Sequence, residues 1–295
     1  MELRILQYFL TVAQEQSITR AAEILHMTQP TLSRQLKELE DELGKQLFIR
    51  GSRKIVLTED GIKLRRRAFE IIELAEKTKN EIQMPDDDIA GDVFIGGGET
   101  RIMHYVTDAV AKISRQYPRI RFNFYSGNAE DVQEKLSSGI LDFGVFVGPT
   151  SMKGYDYIRL PEEDAWGLLM RADNPLAEKE YIVPNDLNGL QLVTSRQLFS
   201  SNQLSGWVGN ENVNFNVSAT YNLLYNASVL VQSGEHCAVC LDGIVSTDPG
   251  TGLVFRPFFP PVKVSTQLVW KKYQAFSKAS EKFVEQILKD LHCEN

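Results

Sequence analysis

Gln29, Ser33, Arg34 and Lys37 lie four, five and eight residues apart, a spacing that gathers them along one side of a helix. Their chemistry suits the reading of bases. An amide donates and accepts at once, as an adenine edge requires, while guanidinium and ammonium groups reach guanine acceptors or phosphate, and a hydroxyl serves either. Leu32, Leu36, Leu39 and Leu43 form an apolar stripe on the same stretch. At 100° per residue, Pro30, Ser33, Arg34 and Lys37 fall opposite that stripe, with Gln29 near the N-terminal edge. Thr28 is placed to cap the helix, and Pro30 falls in its first turn, where a missing N–H costs nothing. The free N–H groups of that end favour a phosphate. Glu38, Glu40, Asp41 and Glu42 crowd the second half, so the helix can enter a groove only by its first two turns. A three-helix bundle with a solvated polar face would carry the same pattern.

Elements that would position this face flank it. Leu3, Leu6, Phe9 or Leu10, and Ala13 predict a helix over 3–15. Ser17 then caps a second, with Ile18, Ala21, Ala22 and Leu25 inward. Two short helices meeting in a tight turn are the parts of a helix-turn-helix. After Gly44 the period changes: Leu47–Arg50 and Ile55–Leu57 are β-prone runs separated by Gly51-Ser52-Arg53-Lys54. A hairpin tipped by Arg53 and Lys54 would grip phosphate or the minor groove. Thr58 caps a further helix, along which Gly61, Leu64, Ala68, Ile71, Ala75, Thr78 and Ile82 form a heptad-like seam. A partner helix from a second copy would cover that seam; packing on the chain's own second domain is the alternative. Met84-Pro85-Asp86-Asp87-Asp88 reads as a linker.

The chain has 295 residues, enough for two or three domains, and a net charge of -7. Evenly spread, that charge would argue against nucleic acid. Residues 1–67, however, hold 12 Lys and Arg against 9 Asp and Glu, a balance of +3, and the remainder carries -10. At 43% hydrophobic and 24% charged the composition is that of a globular protein, not a disordered one. No run approaches a membrane span, the first residues do not resemble a secretory signal, and three cysteines make no disulfide framework. A cytoplasmic protein is expected.

The run SITRAAEILHMTQPTLSRQL over residues 17–36 resembles the N-terminal signature of LysR-type transcriptional regulators. Leu39-Glu40, Leu43-Gly44, Leu47-Phe48, Arg50, Leu57-Thr58-Glu59 and Gly61 continue the match. The resemblance implies an N-terminal winged helix-turn-helix, a long linker helix and a two-lobed, periplasmic-binding-protein-like α/β effector domain. It divides the chain into 1–58, 59–88 and 89–295, with lobe I at about 89–161 and 263–295 and lobe II at about 162–262. It places Gln29, Pro30, Ser33, Arg34 and Lys37 at double-stranded DNA, with Arg50, Arg53 and Lys54 of the wing; Thr28 and Thr31 complete that set. A homodimer through the linker helix, a homotetramer, and a small-molecule effector between the lobes are the implied partners.

Residues 89–295 read independently as alternating strands and helices, hence a parallel sheet covered by helices. Strands are predicted at 93–96, 120–125, 141–147, near 165–170, 191–194, 212–217 and 236–241, and at 264–271. Helices are predicted at 101–116, 129–138, 196–206, 222–233 and 276–292. Ligands of such sheets sit at the carboxyl ends of strands. That rule selects Thr100, Gly127, Asn128, Val147, Gly148, Ser195, Arg196 and Asn222 as effector contacts. Thr100, at a helix N-terminus, suits a carboxylate or phosphate, so the effector is expected to be anionic. Each position could equally be an ordinary cap or turn.

Other signals point nowhere. Gly96-Gly97-Gly98 lacks the third glycine of a dinucleotide fingerprint, since Arg101 stands there. His236-Cys237-Ala238-Val239-Cys240 falls in a predicted strand, where i and i+3 face opposite sides, which suits packing better than a metal or disulfide. No catalytic set is present, and no metal or cofactor is expected. The expected function is a DNA-binding transcriptional regulator controlled by a small molecule. A solute-binding protein with a fused N-terminal module and an α/β enzyme are the rivals.

Overall fold

A computed structural model describes residues 1–50, 54–83, 89–148, 152–201, 204–209, 213 and 215–293. The chain divides into two compact units, Met1–Pro85 and Asp86–Asn295.

In the first unit, α1 (Leu3–Glu15), α2 (Ile18–Ile24) and α3 (Gln29–Leu43) precede β1 (Phe48–Arg50), β2 (Ile55–Leu57) and α4 (Glu59–Ile82). Leu6, Phe9, Val12, Ala21, Leu32, Leu36 and Leu39 form one core with Leu47 and Ala68. The predicted stripe of α3 is therefore buried, except at its end. Leu43 is exposed, because α3 stops there at Gly44, whose φ of +64° is the left-handed C-cap that glycine adopts without strain. Glu40 is buried instead. One of its carboxylate oxygens accepts from Leu47 N at 2.7 Å and Phe48 N at 3.3 Å, so α3 anchors the start of the wing. Ile55 N donates to Gln16 O at 3.0 Å, tying the second wing strand to the end of α1.

The seam predicted for α4 splits in two. Gly61, Leu64, Ala68 and Ile72 face the unit's own core, because the head packs α1 against the first half of this helix. Ile62, Phe69, Ile71, Leu74 and Ile82 are exposed. Thr58 caps α4 as expected, accepting from Gly61 N at 3.0 Å, and donates to Gln46 O at 2.7 Å.

The second unit runs β3 (Gly91–Gly97), α5 (His104–Gln116), β4 (Ile120–Ser126), α6 (Ala129–Ser138), β5 (Phe143–Val147) and β6 (Tyr155–Arg171). Then come β7 (Gln191–Ser195), α7 (Arg196–Ser201), α8 (Ser205–Val208), β8 (Val217–Tyr221) and α9 (Leu224–Ser233). The chain closes with β9 (His236–Leu241), β10 (Leu253–Pro257), β11 (Lys263–Lys271) and α10 (Lys278–Cys293). Among the described residues these strands form one sheet in the order β4-β3-β5-β11-β6-β9-β7-β8, with β10 beside β6. Each lobe repeats one parallel pattern, its first strand flanked by the next two: β3 between β4 and β5, β7 between β8 and β9. The sheet as a whole is mixed, since β11 and β6 run antiparallel to their neighbours and pass from lobe to lobe.

Four predicted boundaries shift. The strand near 165–170 is the second half of the longer β6, whose first half pairs with β11 behind the charges Glu162, Glu163 and Asp164 that hid it. The strand predicted at 212–217 begins at Val217, where the register to β7 pairs Leu192 with Val217 and Ser195 with Tyr221. Of the helix predicted at 196–206, Arg196–Ser201 form α7 and α8 starts at Ser205, with 202 and 203 outside the described residues, and β10 lies where no strand is predicted. Asn222 precedes α9 rather than opening it, since Leu223 is the N-cap.

Gly61 decides how closely α4 approaches the wing: a Cβ there would stand 2.2 Å from Leu47 O. Gly61→Ala should destabilise the first unit by about 1–3 kcal/mol, read as a lowered urea midpoint of that unit, because backbone rather than a flexible side chain must yield.

Candidate functional site

The first two turns of α3 present Thr28, Gln29, Pro30, Thr31 and Arg34 exposed and Ser33 partly so, with Lys37 exposed one turn further. Thr28 occupies the N-cap position, but its hydroxyl pairs with that of Thr31 at 2.8 Å and makes no cap bond to backbone. Helix N–H groups at this end are therefore left for an incoming oxygen. Arg34 and Glu38 lie 3.7 Å apart, and Lys37 and Asp41 2.9 Å, both as exposed i,i+4 pairs. Such surface pairs are worth about 0–1 kcal/mol, so they hold the two cations only weakly. Of the wing residues, Lys54 is exposed, Arg50 closes β1, and Arg53 lies outside the described residues.

In the second unit a cleft opens at the carboxyl ends of β3, β5 and β7. A cavity of about 280 Å³ is lined by Gly127, Asn128, Val147, Ser195 and Asn222, five of the eight predicted contacts. Thr100 lines an adjoining cavity of about 330 Å³, which shares Gly98, Glu99 and Ile244 with the first. Gly148 and Arg196 line neither cavity. Asn128 caps α6, accepting from Asp131 N at 2.9 Å, and Ser195 accepts from Leu198 N at 3.1 Å.

Sequence reasoning missed several residues of the cleft. Glu99 stands between the two cavities, and its carboxylate accepts from Leu224 N at the start of α9, joining the first lobe to the second. Its place just after a strand was the available signal. Trp166 and Phe146 supply buried aromatic wall, which strand periodicity cannot distinguish from core.

Behind the cleft, Thr100 donates its hydroxyl proton to Asp164 at 2.6 Å, and Thr266 donates to the same oxygen at 3.3 Å. Asp164 has no exposed side-chain surface; burial pushes its pKa up and the nearby Asp242 adds to this, against the lowering effect of Thr100, Arg101 and Thr266. Arg101 donates to Glu162 at 2.6 Å, and its Nε lies 3.2 Å from Asp242 and 3.8 Å from Asp164. Burial works against the guanidinium charge, but Asp242, Glu162 and Asp164 outweigh it and raise the pKa. The Asp242 carboxylate in turn accepts from Ala165 N at 2.9 Å, which ties the charges of this joint to the backbone of β6.

Residues 3–62 match the family described as "Bacterial regulatory helix-turn-helix protein, lysR family", and residues 86–291 match "LysR substrate binding domain". The Hca operon transcriptional activator HcaR of Escherichia coli (strain K12) is 30% identical over 280 residues, covering 92% of each chain. The HTH-type transcriptional regulator BsdA of Bacillus subtilis (strain 168) is 40% identical over 146 residues, which is 49% of this chain and 50% of that protein. A hydrogen peroxide-inducible genes activator of Dickeya chrysanthemi is 28% identical, over 65% of this chain and 63% of its own. Among solved structures, CbnR complexed with its target DNA aligns with a TM-score of 0.77 at 18% identity, over 98% of this chain and 99% of that one. Those last figures speak for the fold.

Cys237 and Cys240 are both buried and unbridged on β9, where they belong to different cores on opposite faces of the sheet. Burial pushes the Cys237 thiol up to about 11; burial, then Asp242 and Glu99, push Cys240 higher still. Neither forms appreciable thiolate near neutrality, and the thiolate is the reactive species. Mass-spectrometric mapping after iodoacetamide at pH 8 should find Cys237 and Cys240 unlabelled in the native protein and labelled in urea. Cys237→Ser/Cys240→Ser should bind duplex DNA unchanged before and after peroxide.

Proposed function

The chain belongs to the lysR family of bacterial regulatory helix-turn-helix proteins, and we propose that it binds operator DNA through α3 and its wing under the control of a small molecule held in the cleft. As a member of that family it is a DNA-binding transcriptional regulator with a substrate-binding domain. The observation that carries the reading for this chain is the exposed polar start of α3, backed by a buried leucine stripe, within the first 67 residues, whose charge balance is positive.

In this reading Gln29, Ser33 and Arg34 reach base edges, and Thr28, Pro30, Thr31 and Lys37 set the helix against the groove and its phosphates. Arg50, Arg53 and Lys54 hold the backbone beside it. Residues 1–58 form the reading head, 59–88 the linker helix and hinge, and 89–295 the sensor. The acidic sensor repels the duplex, which leaves docking to the head. The exposed apolar face of α4, with Ile71, Leu74 and Ile82 near Thr78, is the surface a second copy covers, because an isolated helix cannot bury it. Dimers pair the heads over two half-sites, and a homotetramer joins two such dimers. Ligand in the cleft alters the disposition of the lobes and thereby the spacing of heads. Among the described residues no helix is long and apolar enough to cross a membrane, and a cytoplasmic location follows from contact with DNA.

A gel-shift titration at moderate salt tests the head. Gln29→Ala and Arg34→Ala should each lose about 1–3 kcal/mol on operator DNA and almost nothing on random duplex, whereas Arg53→Ala should weaken both and lower the salt slope by about 1. Equal losses on both DNAs for all three variants contradict the division of roles. For the α4 face, Ile71→Glu/Leu74→Glu should raise the dimer dissociation constant about tenfold or more in sedimentation, with the fold retained by circular dichroism.

A further inference from the structure

The cleft's charges run opposite to the anionic effector expected from its helix N-termini. At each N-terminus that borders it, one backbone N–H is already taken by an oxygen of the chain itself. Thr100 accepts from Ile102 N at 3.0 Å and spends its proton on Asp164. The start of α6 has the Asn128 cap and carries Glu130 and Asp131 in its first turn. Ser195 accepts at the start of α7, and the Glu99 carboxylate takes Leu224 N at the start of α9. One donor at each of these helix starts is thus occupied, and at α6 and α9 the groups beside it are carboxylates.

Among the described residues that line the two adjoining cavities, the charged side chains are Glu99 and Glu130, and no lysine, arginine or histidine faces them. Arg196, the cation the sequence offered at this edge, lines neither. Glu99 stands at the junction of both cavities and uses one carboxylate oxygen, Oε2, for Leu224 N. The surrounding wall mixes apolar side chains, Met103, Phe124 and Ile244 on one side and Phe146, Trp166 and Leu198 on the other, with neutral polar ones such as Asn128, Ser195, Gln197 and Asn222. Tyr221 adds an aromatic ring, its hydroxyl proton donated to Val239 O at 2.8 Å. A pocket whose only fixed charges among the described residues are carboxylates orients a cationic ligand by them, and aromatic faces add attraction for a cation.

We propose that the effector of this protein is a small organic cation, a primary amine with an aromatic or branched apolar body, whose ammonium group pairs with Glu99. The proposal rests on the reading of this cleft as the effector site. An anionic effector would meet Glu99 and Glu130 with no countercharge in the wall. An ammonium instead forms charge-assisted hydrogen bonds to Glu99 at the point where that residue links the lobes, so its arrival bears directly on the Glu99–Leu224 contact.

Matched probes separate charge from shape. Thermal-shift and calorimetric titrations of the full chain would compare 2-phenylethylamine with 2-phenylethanol and 3-phenylpropanoate, and isopentylamine with isopentanol and 4-methylpentanoate. At least one amine should bind saturably and raise the Tm, about ten- to a hundredfold tighter than its alcohol, with its acid inert. Glu99→Gln keeps an oxygen for Leu224 N, and it should bring the amine down to the affinity of the alcohol, with the unliganded fold retained by circular dichroism. Three results overturn the proposal: an acid binding as tightly as its amine, an amine unaffected by Glu99→Gln, or no binding by either amine. Failure of the wild-type chain to retard duplex DNA would instead overturn the regulator reading, whatever the amines do.

Discussion

A carboxylate with no exposed surface, Asp164, occupies the joint of the sensor. Burying such a charge costs several kcal/mol unless hydrogen bonds and a countercharge surround it. Here Thr100, just past β3, and Thr266 from β11 hydrogen-bond one of its oxygens, and Arg101 from the turn after Thr100 places its charge 3.8 Å from the other. The requirement therefore brings three separate chain segments to one point. Arg101 carries the constraint onward to Asp242, just past the end of β9 in the second lobe, and to Glu162 on β6. The cleft lies where it does because β3, β6 and β11 are held together behind it. Gly243 packs so closely that a Cβ would stand 2.9 Å from Arg101 Cδ, which leaves no slack at that end of the joint.

The first unit uses the same device on a smaller scale. Glu40, buried at the end of the leucine stripe, accepts the N–H groups of Leu47 and Phe48, and Gly61 lets α4 press against the carbonyl of Leu47. Both contacts serve the entry to the wing. They set it relative to α3, and so relate the basic hairpin to the face that meets the groove. Stability in this head comes from the leucines and Phe9; orientation comes from one carboxylate and one missing side chain.

Much of this was legible in the chain. Periodicity located α1, α2 and α3, strand alternation located β9 and placed its two cysteines on opposite faces, and the rule of strand ends found five residues of the cleft wall. Errors fell where a local pattern admits two partners. Gly61, Leu64 and Ala68 are spaced for a helix seam whether the partner is a second chain or α1, and the structure shows α1. The first half of β6 was hidden because Glu162, Glu163 and Asp164 interrupt any apolar alternation, although Glu162 and Asp164 are met from outside the strand by Arg101 and Thr100, and Glu163 by Arg159 within it. A helix predicted to open at Asn222 starts two residues later, since Leu223 takes the extended cap.

The sequence by itself determined the parts and their sides: a head of +3 against a body of -10, the polar start of α3, and two lobes of alternating strands and helices. These are properties of neighbours along the chain, and spacing reports them. Tertiary structure alone decided what the buried and half-buried carboxylates do. Glu40, Asp164 and Glu99 look like surface residues in the sequence, yet they hold a wing, a joint and the start of a helix whose donors come from 7 to 125 residues away. The reason is electrostatic. A buried charge is governed by whatever the fold brings within hydrogen-bonding distance, and that distance has no counterpart in sequence order.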